Sequence, residues 1–316
     1  MHPVEGSQSP KPGVLFLKRT FQMEYTMKTR GCLITLVVVV AIAGLALLFL
    51  SDIDFAKHPN RIGVIEIKST ITSSKDTLKQ IKEFRKNNLV KVLLVRIDSP
   101  GGAIGPTQEI YREIRRTIET KPVLASLGSI AASGGYYIAS GCSHVMCNPG
   151  TITGSIGVIM HFPYLRGLFD KIGYDMVTIK SGQFKDIGNP AREMTPEEKQ
   201  LLQGTIDEAY GQFVHDVSQG RKIPEEEIRK FADGRIIMGQ TALDLKLVDS
   251  IGNYEDAIDK AAALGKIEGE PNLVYGKKEG HPILDLLLGD EASEKVNEII
   301  SSESADFLRY QIPNFH

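Results

Sequence analysis

Hydrophobic and polar positions follow two regimes along this chain. Residues 32–50 (CLITLVVVVAIAGLALLFL) run for 19 positions without a charge, and at helical rise they reach close to the roughly 30 Å of a bilayer core. The run predicts one retained membrane-spanning helix. A cleaved leader has an apolar part of only about 7–15 residues and a small-x-small site, which SDIDF does not offer. After it, short β-branched runs alternate with helical patterns: strand 61–68, helix 74–88, buried strand 90–98, helix 104–118 and strand 122–128. HVMCNP, TITGSIGVIM and MVTIK continue as strands around a helical stretch near 163–171, and the crossovers are long enough for parallel pairing. From Thr195 the pattern is helical, with Thr as cap and Pro in the first turn, and further helices are predicted at 224–232, 240–246 and 253–264.

These elements predict an α/β domain over 51–276, preceded by a short N-terminal segment (1–31) and the transmembrane helix (32–50), and followed by a helical tail (277–316). Lys11, Lys18, Arg19, Lys28 and Arg30 precede the apolar run, whereas Asp52 and Asp54 follow it. The positive-inside rule therefore places the N-terminus in the cytoplasm and the α/β domain outside it, at the cell membrane. With 37 basic and 39 acidic side chains the net charge is −2, so no global field favours nucleic acid. The three cysteines are too few for a disulfide framework. Cys142, His144 and Cys147 form at most three ligands, short of a closed zinc site, and no metal or other cofactor is expected.

The densest chemical signal is SIAASGGYYIASG (129–141), where Ser133 stands among small residues that would let a substrate backbone approach. If a helix starts there, the Gly134 amide lies beside the hydroxyl where an oxyanion would form. Close helix packing explains an isolated A-A-S-G-G equally well. Gly101 and Gly102 in DSPGG follow a buried strand and open a helix, so they could present another amide at the same sheet edge; a plain strand-to-helix turn is the alternative. A serine hydroxyl needs a base, since it is a weak nucleophile at neutral pH. His144 and His161 stand in no recognisable catalytic setting. Lys185 lies in a Gly- and Pro-punctuated loop, IKSGQFKDIGNP (179–190), where on pattern alone a solvated lysine is the plainer reading. Tyr136 and Tyr137 are expected to pack into the core.

Taken in order, DSPGG, AASGGYYIAS, TGSIGVIM and SGQFKDIGNP resemble signal peptide peptidase A of bacteria in its short, single-repeat form. The resemblance runs from about Arg61 to Asp249 and includes GRIIMGQTALDLKLVDSIG (234–252). It implies the Clp protease and crotonase fold of repeated β-β-α units, with Ser133 as nucleophile, Lys185 as general base and Ser155 orienting the lysine. It further implies oxyanion contacts from Gly102, then Gly101, joined by Gly134. A lysine is ordinarily protonated at neutral pH, so such a base must be desolvated before it accepts a proton. Because only one repeat is present, a complete site is expected to need a ring-shaped homo-oligomer. The implied substrates are cleaved signal peptides and other short or unfolded polypeptides. Three rivals remain: a related membrane-bound Ser-Lys protease cutting one membrane protein, a catalytically silent membrane scaffold, and an acyl-CoA enzyme, the last disfavoured for an exported domain.

Overall fold

The computed structural model describes residues 38–43, 60–276 and 308–311. Contacts divide the chain into two units, 1–59 and 60–316. Of the first unit only residues 38–43 are described, a helical piece with exposed valines; the rest of the apolar run 32–50 lies outside the described residues. Among the described residues no helix is long and apolar enough to cross a membrane.

The second unit is built on an eight-stranded sheet. Strands β1 (Arg61–Lys68), β2 (Val90–Ser99), β4 (Val123–Ala132), β5 (His144–Cys147), β9 (Ser250–Ile251) and β10 (Asn272–Tyr275) run in the order β10-β1-β2-β4-β5-β9, all parallel. A parallel sheet needs cover on both faces, and β2 shows why this sequence supplies it. Leu93, Val95 and Ile97 point into one core with Ile65, Leu127 and Tyr136, whereas Val92 and Leu94 point into the other with Ile62, Val64 and Leu124. Helices α1 (Lys75–Lys86), α2 (Ile104–Thr117), α3 (Gly134–Ser140) and α5 (Pro196–Arg221) contribute to the first core. On the other face α8 (Tyr254–Leu264) packs through Ala257, Ile258 and Ala261.

Strand β4 is longer than the predicted 122–128, and its extension positions the site. Its first half pairs with β5; its second half, Ile130–Ala132, leaves that partner and pairs in parallel with β6 (Ile152–Gly154). The Asp98 carboxylate accepts the Ile130 amide at 3.0 Å, filling the irregularity where β2 and β4 change register. Strand β8 (Ile236–Met238) closes this corner antiparallel to β6. Helix α5 starts as predicted at Thr195: the Thr195 hydroxyl accepts the Glu198 amide, and the Glu198 carboxylate accepts the Thr195 amide.

Several expectations require correction. TITGSIGVIM is not one strand but β6 and β7 (Ile159–Met160), broken by left-handed residues at Gly154 and Ser155. MVTIK forms no strand: it follows α4 (Arg166–Ile172) without a pairing partner among the described residues, and Val177 and Ile179 are 88% and 97% exposed. Beyond it lie the short helices α6 (Glu225–Arg229) and α7 (Gly239–Asp244). The short strands β8, β9 and β10 escape sequence reading because two to four residues carry no periodicity. Within the expected helical tail, β11 (Leu308–Gln311) is a strand, while 277–307 lies outside the described residues.

Candidate active site

Ser133 ends β4 and begins α3, with φ 52° and ψ −117°. A non-glycine residue there is strained, of order 1–3 kcal/mol, and such positions concentrate at functional sites. A strand-to-helix turn of this kind lifts a serine side chain clear of its own backbone. Two hydrogen bonds hold the conformation: the Ser133 amide donates to Gly154 O at 2.8 Å, and its carbonyl accepts the Tyr137 amide at 2.8 Å. Ser133 is 1% exposed, yet its Oγ has no hydrogen-bond partner among the described residues. An unsatisfied buried hydroxyl is costly and calls for an explanation.

The DSPGG turn lies against this elbow. Gly135 packs on the Ser99 carbonyl so closely that a Cβ there would fall 2.8 Å from the oxygen. Gly101 turns the chain at φ 105° into β3 (Gly101–Ala103). The Gly101 carbonyl accepts the Ile71 amide, and the Ala103 amide donates to the Ile71 carbonyl. By strand alternation the Gly102 peptide groups face the opposite way. At Gly102 a side chain is impossible, since its Cβ would meet Ile71 O at 2.1 Å. The Gly101 amide is already donated to Ser99 Oγ at 3.2 Å. Gly102 is therefore the member of the pair with an amide directed away from the packed side, and Gly101 supplies the turn. Gly134 opens α3, so its amide lies in the first turn, where intrahelical acceptors are lacking.

Ser155 follows the residue that bonds to Ser133. Parallel register sets Ala132 opposite Gly154, so Ser133 and Ser155 each directly follow this last pair at the ends of neighbouring strands. Ser155 is 6% exposed, has φ 50°, and its amide donates to Arg235 O at 2.9 Å.

Lys185 is exposed, in a turn-rich segment where its amide donates to Gly182 O at 3.2 Å, and it is not bonded to Ser133. The structure thus ties the Ser133 turn to Gly154, the neighbour of Ser155, and packs the DSPGG turn against it, while Lys185 makes no hydrogen bond to Ser133. Sequence reasoning missed the ion-pair cluster beside Lys185, formed by Lys180, Asp186, Arg192 and Glu198. It also missed β11, which lies antiparallel to β3 with Tyr310 opposite Gly102, and antiparallel to β7 with Arg309 opposite Ile159.

The remaining polar groups near α3 are structural. Tyr136 and Tyr137 are fully buried. The Tyr136 hydroxyl donates to Leu247 O at 2.9 Å, and that of Tyr137 to the Asp216 carboxylate. Tyr137 stacks edge-on with Tyr111 and tilted on Phe213. Cys142 and Cys147 are free and buried, and burial pushes their thiols up to about 12 and about 11. Burial pushes the His144 imidazole down, against the pull of Asp249, and its Nε2 lies 2.9 Å from Ser250 Oγ. Among the described residues no group of side chains could hold a metal ion.

Residues 115–268 match the model of Peptidase family S49. A protein named as a protease in Synechocystis sp. is 44% identical over 234 residues, covering 73% of this chain and 84% of the relative. A protein named as a signal peptide peptidase in Enterococcus faecium is 38% identical over 58% of this chain and 53% of its own length. The chloroplastic serine protease SPPA of Arabidopsis thaliana is 33% identical over 62% of this chain and 29% of its own length. An elbow serine between glycine-lined strands and this set of relatives agree: the chain belongs to peptidase family S49, the family of signal peptide peptidase A, and is a serine peptidase.

Proposed function

We propose that this chain is a membrane-anchored endopeptidase in which Ser133 is the nucleophile and Lys185 of a neighbouring subunit is the general base. The observation that carries the reading is the strained, buried Ser133, whose Oγ has no hydrogen-bond partner among the described residues. In the reaction, the neutral amine takes the hydroxyl proton as Oγ attacks the scissile carbonyl. The amides of Gly102 and Gly134 receive the developing oxyanion. The ammonium then protonates the leaving amine as the C–N bond breaks, and water, deprotonated by the same lysine, hydrolyses the acyl-enzyme. Ser155, beside Ser133, orients the incoming amine.

Two features support the assembly and the substrate class. Around the Lys185 loop, Tyr164, Leu168, Ile172, Val177 and Ile179 are exposed. Exposed large apolar side chains recurring along one segment are suited to burial against another subunit. That burial would also desolvate the base. Strand β11, in turn, gives the pattern of an extended polypeptide docked between β3 and β7. Strand addition of this kind recognises main chain and tolerates varied side chains, which suits signal-peptide remnants and other unfolded segments. The charge asymmetry about residues 32–50 supports a single anchor with its N-terminus in the cytoplasm and the peptidase unit on the other side.

Four outcomes test this reading. Ser133→Gly should abolish peptidase activity while stabilising the fold by ~1 kcal/mol, because glycine accepts the positive φ without strain. A lower urea midpoint, or retained activity, would contradict the elbow assignment. Inactive Ser133→Ala and inactive Lys185→Ala chains, co-assembled, should recover activity, since some sites then pair an intact serine with an intact lysine. Mixed assemblies confirmed by native mass spectrometry that stay inactive would place both residues in one chain's site. Deleting residues 301–316 should lower KM for a peptide substrate several-fold by clearing the β3 edge, and an unchanged KM would show that β11 does not compete with substrate. Finally, protease added outside intact spheroplasts should digest the peptidase unit; protection until the membrane is broken would reverse the orientation.

A further inference from the structure

The loop that carries Lys185 has almost no burial of its own. Residues 181–185 are exposed, and the segment is held by successive three-residue turns, Lys185 N to Gly182 O and Ile187 N to Phe184 O, each 3.2 Å. A catalytic amine on such a loop would sample many positions, whereas a misplacement of about 1 Å can cost on the order of 10²-fold in rate. Something other than packing must fix it.

The next residue, Asp186, is where the loop is tied down. Its carboxylate is only 11% exposed and accepts from Arg192 Nε at 3.0 Å and from Lys180 Nζ at 2.5 Å. Arg192 also donates to the Asp186 carbonyl at 3.3 Å, which fixes main chain as well as side chain. The other edge of the guanidinium forks onto Glu198, at 2.8 Å and 2.5 Å, and Nη1 also reaches the Glu193 carbonyl at 3.1 Å. Glu198 is 2% exposed and belongs to the capping box of α5. One arginine therefore joins the backbone next to Lys185 to the first turn of a 26-residue helix whose Phe213, Val214 and Val217 are fully buried.

We propose that Arg192 is a positioning residue for the base: clamped between Asp186 and Glu198, it fixes the Lys185 loop to α5 and keeps the Asp186 carboxylate from pairing with Lys185. This rests on the reading of Lys185 as base. Partly exposed ion pairs add little to stability, so stability alone does not account for an arginine that engages two carboxylates and two carbonyls. The charges also cancel, with Asp186 and Glu198 facing Arg192 and Lys180, so the cluster presents no net charge to the amine. Arg192 and Lys180 hold the Asp186 carboxyl well below the usual carboxylate range, and Arg192 with the Thr195 amide holds Glu198 at about 2. In the intact cluster both carboxylates therefore stay ionised through the ordinary carboxylate range. Lys199 and Glu193 also carry charge on the cleft beside Arg192.

The test uses the full chain and a fluorogenic peptide, with kcat, KM and the pH dependence of kcat/KM measured between pH 5 and 10. Arg192→Gln should lower kcat at least about tenfold with KM within twofold, and should move the acid limb of the profile to higher pH, because the freed Asp186 carboxylate now favours the ammonium. Adding Asp186→Asn to that variant should return the limb to its wild-type position while kcat stays low. Glu198→Gln keeps an acceptor for the Thr195 amide, hence the capping box, and should give a smaller kcat loss in a chain of wild-type melting temperature. A wild-type kcat and profile in both Arg192→Gln and Glu198→Gln would overturn the proposal. So would a loss matched entirely by the unfolded fraction with the acid limb unmoved. Lys185→Ala is assayed alongside: if it remains active, the base assignment fails, whereas an inactive Lys185→Ala with unaffected cluster variants sinks the positioning role alone.

Discussion

The site depends on one backbone constraint, the positive φ of Ser133 between β4 and α3. Nothing about serine favours that conformation; the surroundings impose it. Upstream, β4 is locked on both sides by parallel partners, and its last pair sets Ala132 against Gly154. Downstream, α3 is wholly buried, and Tyr136 and Tyr137 fix its rotation through their hydroxyls as well as their rings. Burial of a large side chain contributes about 1.5–3 kcal/mol, so two such anchors outweigh a strain of order 1–3 kcal/mol. The strain therefore persists in the folded chain, and with it a hydroxyl that has no hydrogen-bond partner among the described residues.

Helix α5 gives that constraint a reach beyond the elbow. Near its C-terminal end Asp216 takes the hydroxyl of Tyr137, one turn after Ser133, and its carbonyl takes the hydroxyl of Tyr111. Eighteen residues earlier, about 27 Å along the axis, Glu198 holds Arg192 and through it the Lys185 loop. One rigid element thus joins the Ser133 turn and the loop of the proposed base. On the shared-site reading, these two ends serve different active sites, and a displacement of the helix in one subunit would be felt at both.

The sequence made the layered core legible because its signals are local and periodic: β-branched runs for β1 and β2, and Thr-Pro-Glu-Glu for the start of α5. The serine elbow and the glycine turn were legible as motifs, but their roles were not separable there. The folded turn separates them: Gly101 takes the positive φ and donates its amide to Ser99 Oγ, while Gly102 packs against Ile71. MVTIK was misread as a strand because its apolar alternation is real, while the pairing partner such a pattern demands is missing from the described residues. Arg192 went unnoticed for a different reason. Its two carboxylates lie six residues away on either side, a spacing that matches neither helix nor strand periodicity, and only the folded loop brings them to one guanidinium.

A serine without its base is a weak nucleophile, and that bears on how such a peptidase is kept in check. The chain completes the costly part of the site by itself: the strained elbow, the Gly102 strand and the neighbouring Ser155 are all set by internal packing. On the proposed reading, what the fold leaves to an encounter is the Lys185 amine, carried on an exposed loop that follows a segment with unburied apolar side chains. On the proposed reading, assembly delivers the lysine, removes its water and completes the dyad in one event, so an isolated chain would not cut the unfolded segments around it. A membrane anchor would confine subunits to two dimensions and favour that encounter at the surface where signal-peptide remnants are released.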